Sequence, residues 1–157
     1  MRNFTIRVDD LSGEAMRALL ALHLRGMQEN SPPGTNYALD ISGLQIPQVT
    51  VWSAWDGANI VTIGALKMLE GVGICQAEVK SMRTHPDYVR RGAAAQMLTH
   101  IMDVARARGV SVLSLETGTS PEFDAAVALY RRHGFVVGGV FGDYRPSPHN
   151  QFLHLNL

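Results

Sequence analysis

The sequence predicts a mixed α/β (α+β) fold, in which about seven strands form a mostly antiparallel sheet around one central parallel β-α-β unit. Three observations support this fold class. Segments with apolar residues at every second position alternate with segments whose apolar residues recur at helical spacing. Asp56-Gly57 joins two strand-like segments as a hairpin turn. A long helical segment separates a strand ending at Thr84 from one starting at Val110, which is typical of a crossover between parallel strands.

The composition is that of an ordinary globular protein, with 46% hydrophobic and 18% charged residues, and we expect one domain over residues 1–157. Basic and acidic residues balance at 14 each, which gives no electrostatic reason to bind nucleic acid or an anionic membrane. Cys75 is the single cysteine, and the six histidines form no H-x-x-x-H or H-x-H pair, so neither a disulfide nor a metal site is predicted. The chain has no signal-like start and no run of transmembrane length, which makes the cytoplasm the expected location.

The first half of the chain contains four strand-like segments and one clear helix. The strands are predicted at Phe4 to Val8, Val49 to Trp55, Asn59 to Met68 and Ile74 to Thr84. The helix has Asp10 or Ser12 as its expected N-cap, and the Pro-Pro-Gly stretch after Ser31 stops it, because proline cannot continue a helix. A weaker helical or turn-rich segment follows from Asn36 to Ile46, and Glu70 to Gly73 forms a turn.

The second half begins with a long helix whose apolar residues share one stripe. That stripe contains Ala94, Met97, Leu98, Ile101 and Ala105, and the residues expected to face away are Gln96, His100, Asp103 and Arg106. Gly109 is the residue expected to end this helix. The remaining elements are a strand from Val110 to Thr117, a helix opened by Pro121 with Ser120 as its cap, and strands from Phe135 to Phe141 and from Phe152 to Leu155.

The start of the long helix is predicted to bind an anion. Arg90, Arg91 and Gly92 lead into Ala93-Ala94-Ala95. The first turn of a helix presents unpaired N–H groups and a partial positive charge, and small side chains leave these amides open. With two guanidinium groups beside them they form a candidate diphosphate-binding turn, although an ordinary basic helix start has the same residues. Neither G-x-x-x-x-G-K-[ST] nor G-x-G-x-x-G occurs, so those two nucleotide-binding loops have no support.

Two motifs make the chain resemble the GCN5-related N-acetyltransferases. The first, [QR]-x-x-G-x-[GA], follows a strand and opens a helix; Gly92 and Ala94 match it, whereas Val89 stands where the family usually has Gln or Arg. The second, A-x-x-L-Y-x-x-x-G-F, runs here from Ala126 to Phe135, and Phe123 occupies a position that is often Asn in the family. The order of strands and helices is also that of the family. The resemblance therefore covers nearly the whole chain and implies helices on both faces of the sheet.

The resemblance implies acetyl transfer from acetyl-CoA, as co-substrate, to an amine. The cofactor's amide-bearing arm would bond to backbone groups in a gap between the strand ending at Thr84 and the parallel strand from Val110 to Thr117. A main-chain N–H near Met82 would stabilise the negative charge that develops on the thioester carbonyl. The residues expected to contact the cofactor are Met82, Arg83, Thr84, Val89, Arg90, Arg91, Gly92, Ala93, Ala94 and Ala95. No metal is expected.

The resemblance also implies two catalytic side chains. Glu78 is the expected base, acting through a water, because the histone-acetylating branch of the family has its catalytic glutamate at the same offset from the loop glycine. Glu78 could instead be an ion-paired carboxylate beside Lys80, Glu116 is the rival base, and ordered water alone could suffice. Tyr130 matches the tyrosine that the family places next to the sulfur and is the expected acid for the leaving thiolate. Core packing is the alternative role for Tyr130.

The acceptor is expected to be a small-molecule amine, bound between the first two helices and the last hairpin. Tyr37, Glu116, Tyr144 and Arg145 are the candidate binding residues. Arg145 could bind the carboxylate of an amino-acid-like acceptor, or it could be a surface arginine in a proline-stiffened loop. Three further motifs resemble a group of small bacterial acetyltransferases. They run from Glu78 to Arg83, from Leu115 to Gly118 and from Asp143 to Pro146.

Two other functions remain open at the level of the sequence. The chain could bind an acyl-CoA without useful catalysis, as a sensor, or it could be an unrelated α/β fold with a generic phosphate-binding helix start. The unrelated fold predicts no cleft beside the strand from Ile74 to Thr84. A homodimer could form by pairing of the C-terminal strand, Phe152 to Leu155.

Overall fold

The computed structural model describes residues 3–71 and 73–157 and contains a seven-stranded sheet. The strands are β1 (Thr5–Val8), β2 (Val49–Asp56), β3 (Asn59–Leu69), β4 (Gln76–Thr84), β5 (Val112–Gly118), β6 (Val136–Gly138) and β7 (Asn150–Asn156). The helices are α1 (Glu14–Glu29), α2 (Ile41–Leu44), α3 (Ala93–Ala107) and α4 (Asp124–Arg132), with 3₁₀ turns at Pro86–Tyr88 and Pro121–Phe123.

The strand order is β1-β2-β3-β4-β5-β7-β6, and β4 and β5 form the parallel pair in an otherwise antiparallel sheet. The chain passes from β4 to β5 through α3, which is the crossover that parallel neighbours require. The predicted fold class, the number of strands and the order of elements are therefore confirmed.

The two faces of the sheet pack against different helices. Because alternate residues of a strand point to opposite faces, Ala77 and Val79 of β4 join the core under α3 and α4. Glu78 and Lys80 consequently lie on the opposite face, toward α1. On that face β2 and β3 pack against α1 and α2, with Met16, Leu20, Leu44, Val51 and Ile63 among the buried residues. Helices thus cover both faces, as predicted.

The parallel ladder between β4 and β5 is short. It begins with Gln76 opposite Val112 and ends with Glu78 opposite Ser114, although β4 continues to Thr84. Beyond Glu78 the two strands part, and their facing backbone groups are left without a partner strand. This is the gap that the sequence predicted beside β4.

A bulge in β4 lies just beyond the point where the strands part. Lys80 pairs with Ala65 of β3 and Arg83 pairs with Ile63, so Ser81 and Met82 together face Gly64. Ser81 has φ +58°, in the left-handed region that non-glycine residues rarely adopt. A Cβ on Gly64 would lie 2.8 Å from the Met82 sulfur. The extra residue therefore turns Met82 toward α3, and the absent Gly64 side chain provides the space.

Two predicted features of the helices were wrong. The N-cap of α1 is Gly13, with no side-chain cap, because the carboxylate of Asp10 accepts hydrogen bonds from the backbone and hydroxyl of Ser12 in a local turn instead. On α3, Gln96 and His100 do not face solvent. The Gln96 amide oxygen accepts a hydrogen bond from the Phe4 N–H at 3.1 Å, since the start of β1 covers this part of the helix.

Two elements are shorter than the sequence predicted, and one predicted turn is only partly described. The segment from Asn36 to Ile46 contains only the four-residue helix α2, which Asp40 caps through the N–H of Gly43. The strand predicted from Phe135 to Phe141 is reduced to the three residues of β6. In the turn predicted from Glu70 to Gly73, Val72 lies outside the described residues. No helix in the described ranges is long and apolar enough to span a membrane.

The C-terminal strand lies inside the sheet. β7 pairs with β5 on one edge and with β6 on the other. The expected pairing of Phe152 to Leu155 across a homodimer is therefore wrong, because both hydrogen-bonding edges of that strand are already occupied. The edges of the sheet are β1 and β6.

Candidate active site

The start of α3 has the open backbone that the sequence predicted. Gly92 takes the N-cap position with φ +82°, and no side chain caps the helix. Arg90 also has a left-handed φ of +62°. These two residues turn the chain tightly, so that the N–H groups of the Ala93-Ala94-Ala95 turn are not covered by a capping side chain. The partial positive charge at the start of the helix adds to the positive ends of these N–H groups.

A cavity of about 640 Å³ connects this turn with the gap between β4 and β5. A volume of this size is in the usual range for the binding of a small organic molecule or cofactor. Thirteen of the predicted site residues line it: Tyr37, Glu78, Met82, Arg83, Thr84, Val89, Arg90, Gly92, Ala93, Ala94, Ala95, Glu116 and Tyr130. The structure thus brings the predicted anion-binding turn and both predicted catalytic residues to one continuous cavity.

Glu78 is the most buried charged group of the cavity wall, with an exposed fraction of 3%. Its Oε2 accepts hydrogen bonds from the Lys80 ammonium, at 3.3 Å, and from the Tyr144 hydroxyl. Lys80 also donates to the Tyr144 hydroxyl at 2.6 Å, and its Nζ lies 3.5 Å from the Tyr37 carbonyl. Burial, followed by the negative Glu78, raises the pKa of Tyr144 far above its ordinary value. Tyr144 is therefore a neutral donor to Glu78.

Glu116 lies on β5 and lines the same cavity as Glu78. Among the described residues it accepts one hydrogen bond, from the Asn150 side-chain amide at 3.3 Å. Burial raises the pKa of Glu116, and the Asn150 hydrogen bond and the charge of Lys80 act in the opposite direction. Lys80 therefore contacts Glu78 directly, and it acts on Glu116 only through its charge, in a partly dehydrated space.

Tyr130 lies on α4 with an exposed fraction of 7%. Burial raises the pKa of Tyr130 to about 12, and the nearby positive charge of Arg83 opposes this shift. The Arg83 side chain is fixed on the α1 side, where its Nε donates to His23 Nδ1 at 3.1 Å. A Cβ on Gly26 would lie 2.9 Å from the Arg83 guanidinium, so a larger residue at this helix position would require the Arg83 side chain to shift.

The segment between β6 and β7, residues 139–149, covers the part of the sheet that α1 and α2 leave open. Phe141 contacts the rings of Tyr144 and Phe152, at centroid distances of 5.2 and 5.8 Å. A hydrogen-bond chain anchors the segment, because His154 contacts the Gly139 carbonyl through Nε2 and the Ser114 hydroxyl through Nδ1, both at 2.7 Å. Since the carbonyl only accepts, Nε2 carries the proton and Ser114 donates to Nδ1. The segment holds Tyr144 over Glu78.

Three predicted site residues do not line the cavity. The Arg91 guanidinium is exposed and lies 5.2 Å from the centre of the Tyr88 ring, where it makes a cation–π contact. Arg145 is exposed as well, and its backbone carbonyl accepts a hydrogen bond from Asn150. Tyr144 reaches the cavity only through its hydrogen bonds to Glu78 and Lys80. The proline-rich loop therefore directs the Arg145 side chain to solvent.

Two residues of the site gave little signal in the sequence. Lys80 was considered only as an alternative partner of Glu78, yet it connects Glu78 with Tyr144 and Tyr37. Asn150 was not considered at all, because its contact with Glu116 depends on the pairing of β5 with β7. Glu78 and Lys80 are two residues apart in a strand and so lie on the same face, and this spacing is the sequence signal that identifies Lys80 as part of the site. In the described ranges, no group of three or more His, Cys, Asp or Glu residues could hold a metal ion.

Comparison with known proteins identifies the family. Residues 16–135 match the Acetyltransferase (GNAT) family. The chain belongs to this family. It is 49% identical over 154 residues to the Escherichia coli K12 protein named uncharacterized N-acetyltransferase YedL, covering 98% of this chain and 95% of that protein. It is 40% identical over 152 residues to the Bacillus subtilis 168 protein named uncharacterized N-acetyltransferase YsnE, covering 97% and 99%.

Solved structures of GNAT proteins share the fold. A candidate acyl-CoA N-acyltransferase from Klebsiella pneumoniae superposes with a TM-score of 0.79 and 28% identity, over 98% of this chain and 97% of that one. A Bacillus subtilis acetyltransferase solved in complex with CoA has a TM-score of 0.73 and 16% identity, over 99% of both chains. Family and relatives together establish that this protein is a GNAT acetyltransferase, which removes the unrelated α/β fold from consideration.

Proposed function

We propose that this protein transfers the acetyl group of acetyl-CoA to a primary amine of a small molecule, by direct attack in a ternary complex. The observation that carries the proposal is the early parting of β4 and β5 after Glu78. It opens a cavity that runs from uncapped amides at the start of α3 to two titratable residues, Glu78 and Tyr130. Such a cavity suits an elongated molecule with an anion at one end and a reacting group at the other.

The anionic end of CoA fits the start of α3. The amides of Ala93 to Ala95 and the guanidinium of Arg90 line the cavity and offer hydrogen-bond donors with positive charge to the diphosphate. The Arg91 guanidinium lies against Tyr88 in this structure and is not part of the cavity wall. The unpaired edge of β4 would bind the amides of the pantetheine arm as an added strand. Phe123 lines this part of the cavity as an apolar wall.

The bulge in β4 is suited to stabilise the reacting carbonyl. As the amine attacks the thioester, negative charge develops on the carbonyl oxygen, and a fixed N–H near Met82 would donate to it. The bond between carbon and sulfur then breaks, and the sulfur leaves with the electron pair. Tyr130, protonated at neutral pH, would donate a hydrogen bond to the thiolate. Holding amine and thioester together supplies a further part of the rate, up to about 7–11 kcal/mol.

The attacking amine must be neutral, and a nearby carboxylate could accept its proton. Glu78 is the proposed base, because its Oε2 is fixed by Lys80 and Tyr144 while Oε1 makes no hydrogen bond to the described residues. A water or amine in the cavity could reach that oxygen. Glu116 is the alternative base, since burial raises its pKa toward the range in which a base works at neutral pH.

Two measurements test the proposal. Calorimetry with CoA and acetyl-CoA should detect binding of both, and a panel of primary amines should show acceptor-dependent release of free thiol. Binding of acetyl-CoA without thiol release for any amine would support a non-catalytic sensor instead. Glu78→Gln and Glu116→Gln distinguish the two candidate bases, because only loss of the base should lower kcat, about a hundredfold or more, at saturating acceptor.

A further inference from the structure

We infer that Glu116 determines acceptor specificity by binding a cationic group that the acceptor carries in addition to its reacting nitrogen. The substrate class would then be a diamine or another amine with a second positive charge, rather than an amino acid. This inference rests on the proposed acetylation of an amine and narrows the class of that amine.

Glu116 lies on β5, next to the point where the proposed base Glu78 lies on β4. The β4–β5 ladder ends at Ser114, and Glu116 lies two positions further along β5 on the same face as Ser114. It lines the cavity together with Glu78. A molecule whose amine reaches Glu78 therefore passes along the wall that Glu116 forms.

Glu116 lacks the cation that a dehydrated carboxylate normally has. Its one hydrogen-bond donor is the neutral amide of Asn150, which also donates to the Arg145 carbonyl at 3.1 Å. Within residues 3–71 and 73–157, no Lys, Arg or His nitrogen lies within salt-bridge distance of Glu116. A carboxylate removed from water without a positive partner is unfavourable, and a cationic ligand would supply that partner.

The nearest lysine cannot fill this role. The Lys80 ammonium has three N–H donors, and it contacts Glu78, the Tyr144 hydroxyl and the Tyr37 carbonyl. With Glu78 and Glu116 both ionised, these two carboxylates and Lys80 together carry two negative charges and one positive charge, and Arg83 is considered separately below. An acceptor with an extra positive charge restores neutrality, whereas an acceptor with a carboxylate adds a second unpaired negative charge.

An aromatic side chain adds to the preference for a cation. Tyr37 lines the cavity and meets the ring of Tyr144 edge to face, at a centroid distance of 4.9 Å. The electron-rich faces of tyrosine rings attract ammonium groups. Arg83 is the competing feature, because its guanidinium also lines the cavity and could bind a carboxylate. The two preferences can be separated with acceptors of equal length.

The decisive experiment compares three probes that share one amine and one carbon chain: 1,4-diaminobutane, 4-aminobutanol and 4-aminobutanoate. Their binding to the full-length protein saturated with CoA is measured by calorimetry. We expect the diamine to bind about tenfold or more tightly than the amino alcohol, and the amino acid to bind most weakly, since a hydrogen-bonded ion pair is lost in each case. Glu116→Gln should reduce the ratio of the binding affinities for the diamine and the amino alcohol to near one. Glu70→Gln, which removes an exposed carboxylate outside the cavity, should preserve the ratio.

Equal binding of the three probes, failure of the diamine to bind, or tighter binding of 4-aminobutanoate would overturn the inference, and so would a ratio unchanged in Glu116→Gln. Thiol release with the same probes and acetyl-CoA reports separately on the proposed function. Turnover without preference for the diamine would contradict only the role of Glu116. A strong binding preference without turnover of any amine would contradict only the acetyl transfer.

Discussion

At the scale of single residues, the end of the cavity that we propose binds the acceptor depends on the pair formed by Lys80 and Glu78. Their side chains are 9% and 4% exposed. Removal of one partner from a buried pair leaves a charge without compensation, which typically costs about 3–5 kcal/mol. We expect Lys80→Met to lower the free energy of unfolding by about that amount, and the double variant with Glu78→Gln to recover most of it. Urea unfolding curves measure both. A double variant no more stable than Lys80→Met would contradict this account.

Tyr130 illustrates how a pKa limits the role of a side chain. Its pKa of about 12 lies some 3.5 units above the ordinary value of about 8.5 for a thiol, so complete proton transfer to the thiolate is uphill by about 5 kcal/mol. We therefore expect Tyr130 to act as a hydrogen-bond donor to the developing thiolate. Tyr130→Phe should lower kcat by about 10–100-fold and leave the affinity for acetyl-CoA nearly unchanged. Steady-state kinetics and calorimetry on the same variant test this, and an unchanged kcat would remove Tyr130 from the mechanism.

At the scale of elements, the start of α3 depends on a glycine in the left-handed region. A Cβ in that region costs about 1–2 kcal/mol, and at Gly92 it would also disturb the amides that we propose receive the diphosphate. We expect Gly92→Ala to lower the affinity for CoA about tenfold, as measured by calorimetry. Gly109→Ala is the matched control, because Gly109 has φ +78° at the other end of the same helix and open space around it. The control should lose stability but keep its CoA affinity. Equal CoA affinities in the two variants would argue against binding at this helix start.

The strand β4 shows what a local sequence pattern can and cannot reveal. Its alternation of Ala77, Glu78, Val79 and Lys80 was enough to predict a strand with one apolar face. The bulge at Ser81 was not predictable, because it depends on the register with β3 and on the space left by Gly64. The bulge directs Met82 toward α3, which exposes a different set of backbone groups to the cavity than a regular strand would.

At the scale of the whole molecule, the sequence predicted the fold class and the cavity better than the details of the site. Hairpin signals, helix-ending glycines and the order of strands can be read from local sequence, and the structure agrees with the predictions that they gave. Errors arose where distant segments meet. Gln96 and His100 lie off the apolar stripe of α3, yet Phe4 and Trp52 contact them, and this coverage of the helix is not local information. For Arg145 the sequence leaves both an acceptor contact and a surface position open, because a loop's sequence does not give the direction of its side chains, and the structure has the residue exposed.

The stability of the whole molecule should depend on pH through His23. Burial, then the positive charges of Arg83 and Lys80, lowers the pKa of His23 from 6.5 to about 4. His23 therefore becomes protonated near pH 6.5 in the unfolded chain but only near pH 4 in the folded protein. The free energy of unfolding consequently decreases as the pH is lowered through this range. The loss should approach about 3 kcal/mol near pH 4. His23→Gln keeps an acceptor for the Arg83 Nε but cannot titrate. Between pH 6.5 and pH 4, the unfolding free energy of this variant should therefore fall by about 3 kcal/mol less than that of the unmodified protein. Urea unfolding at a series of pH values measures the difference, in which the carboxylates common to both proteins cancel. Parallel stability curves would show that His23 is protonated equally in the folded and unfolded states.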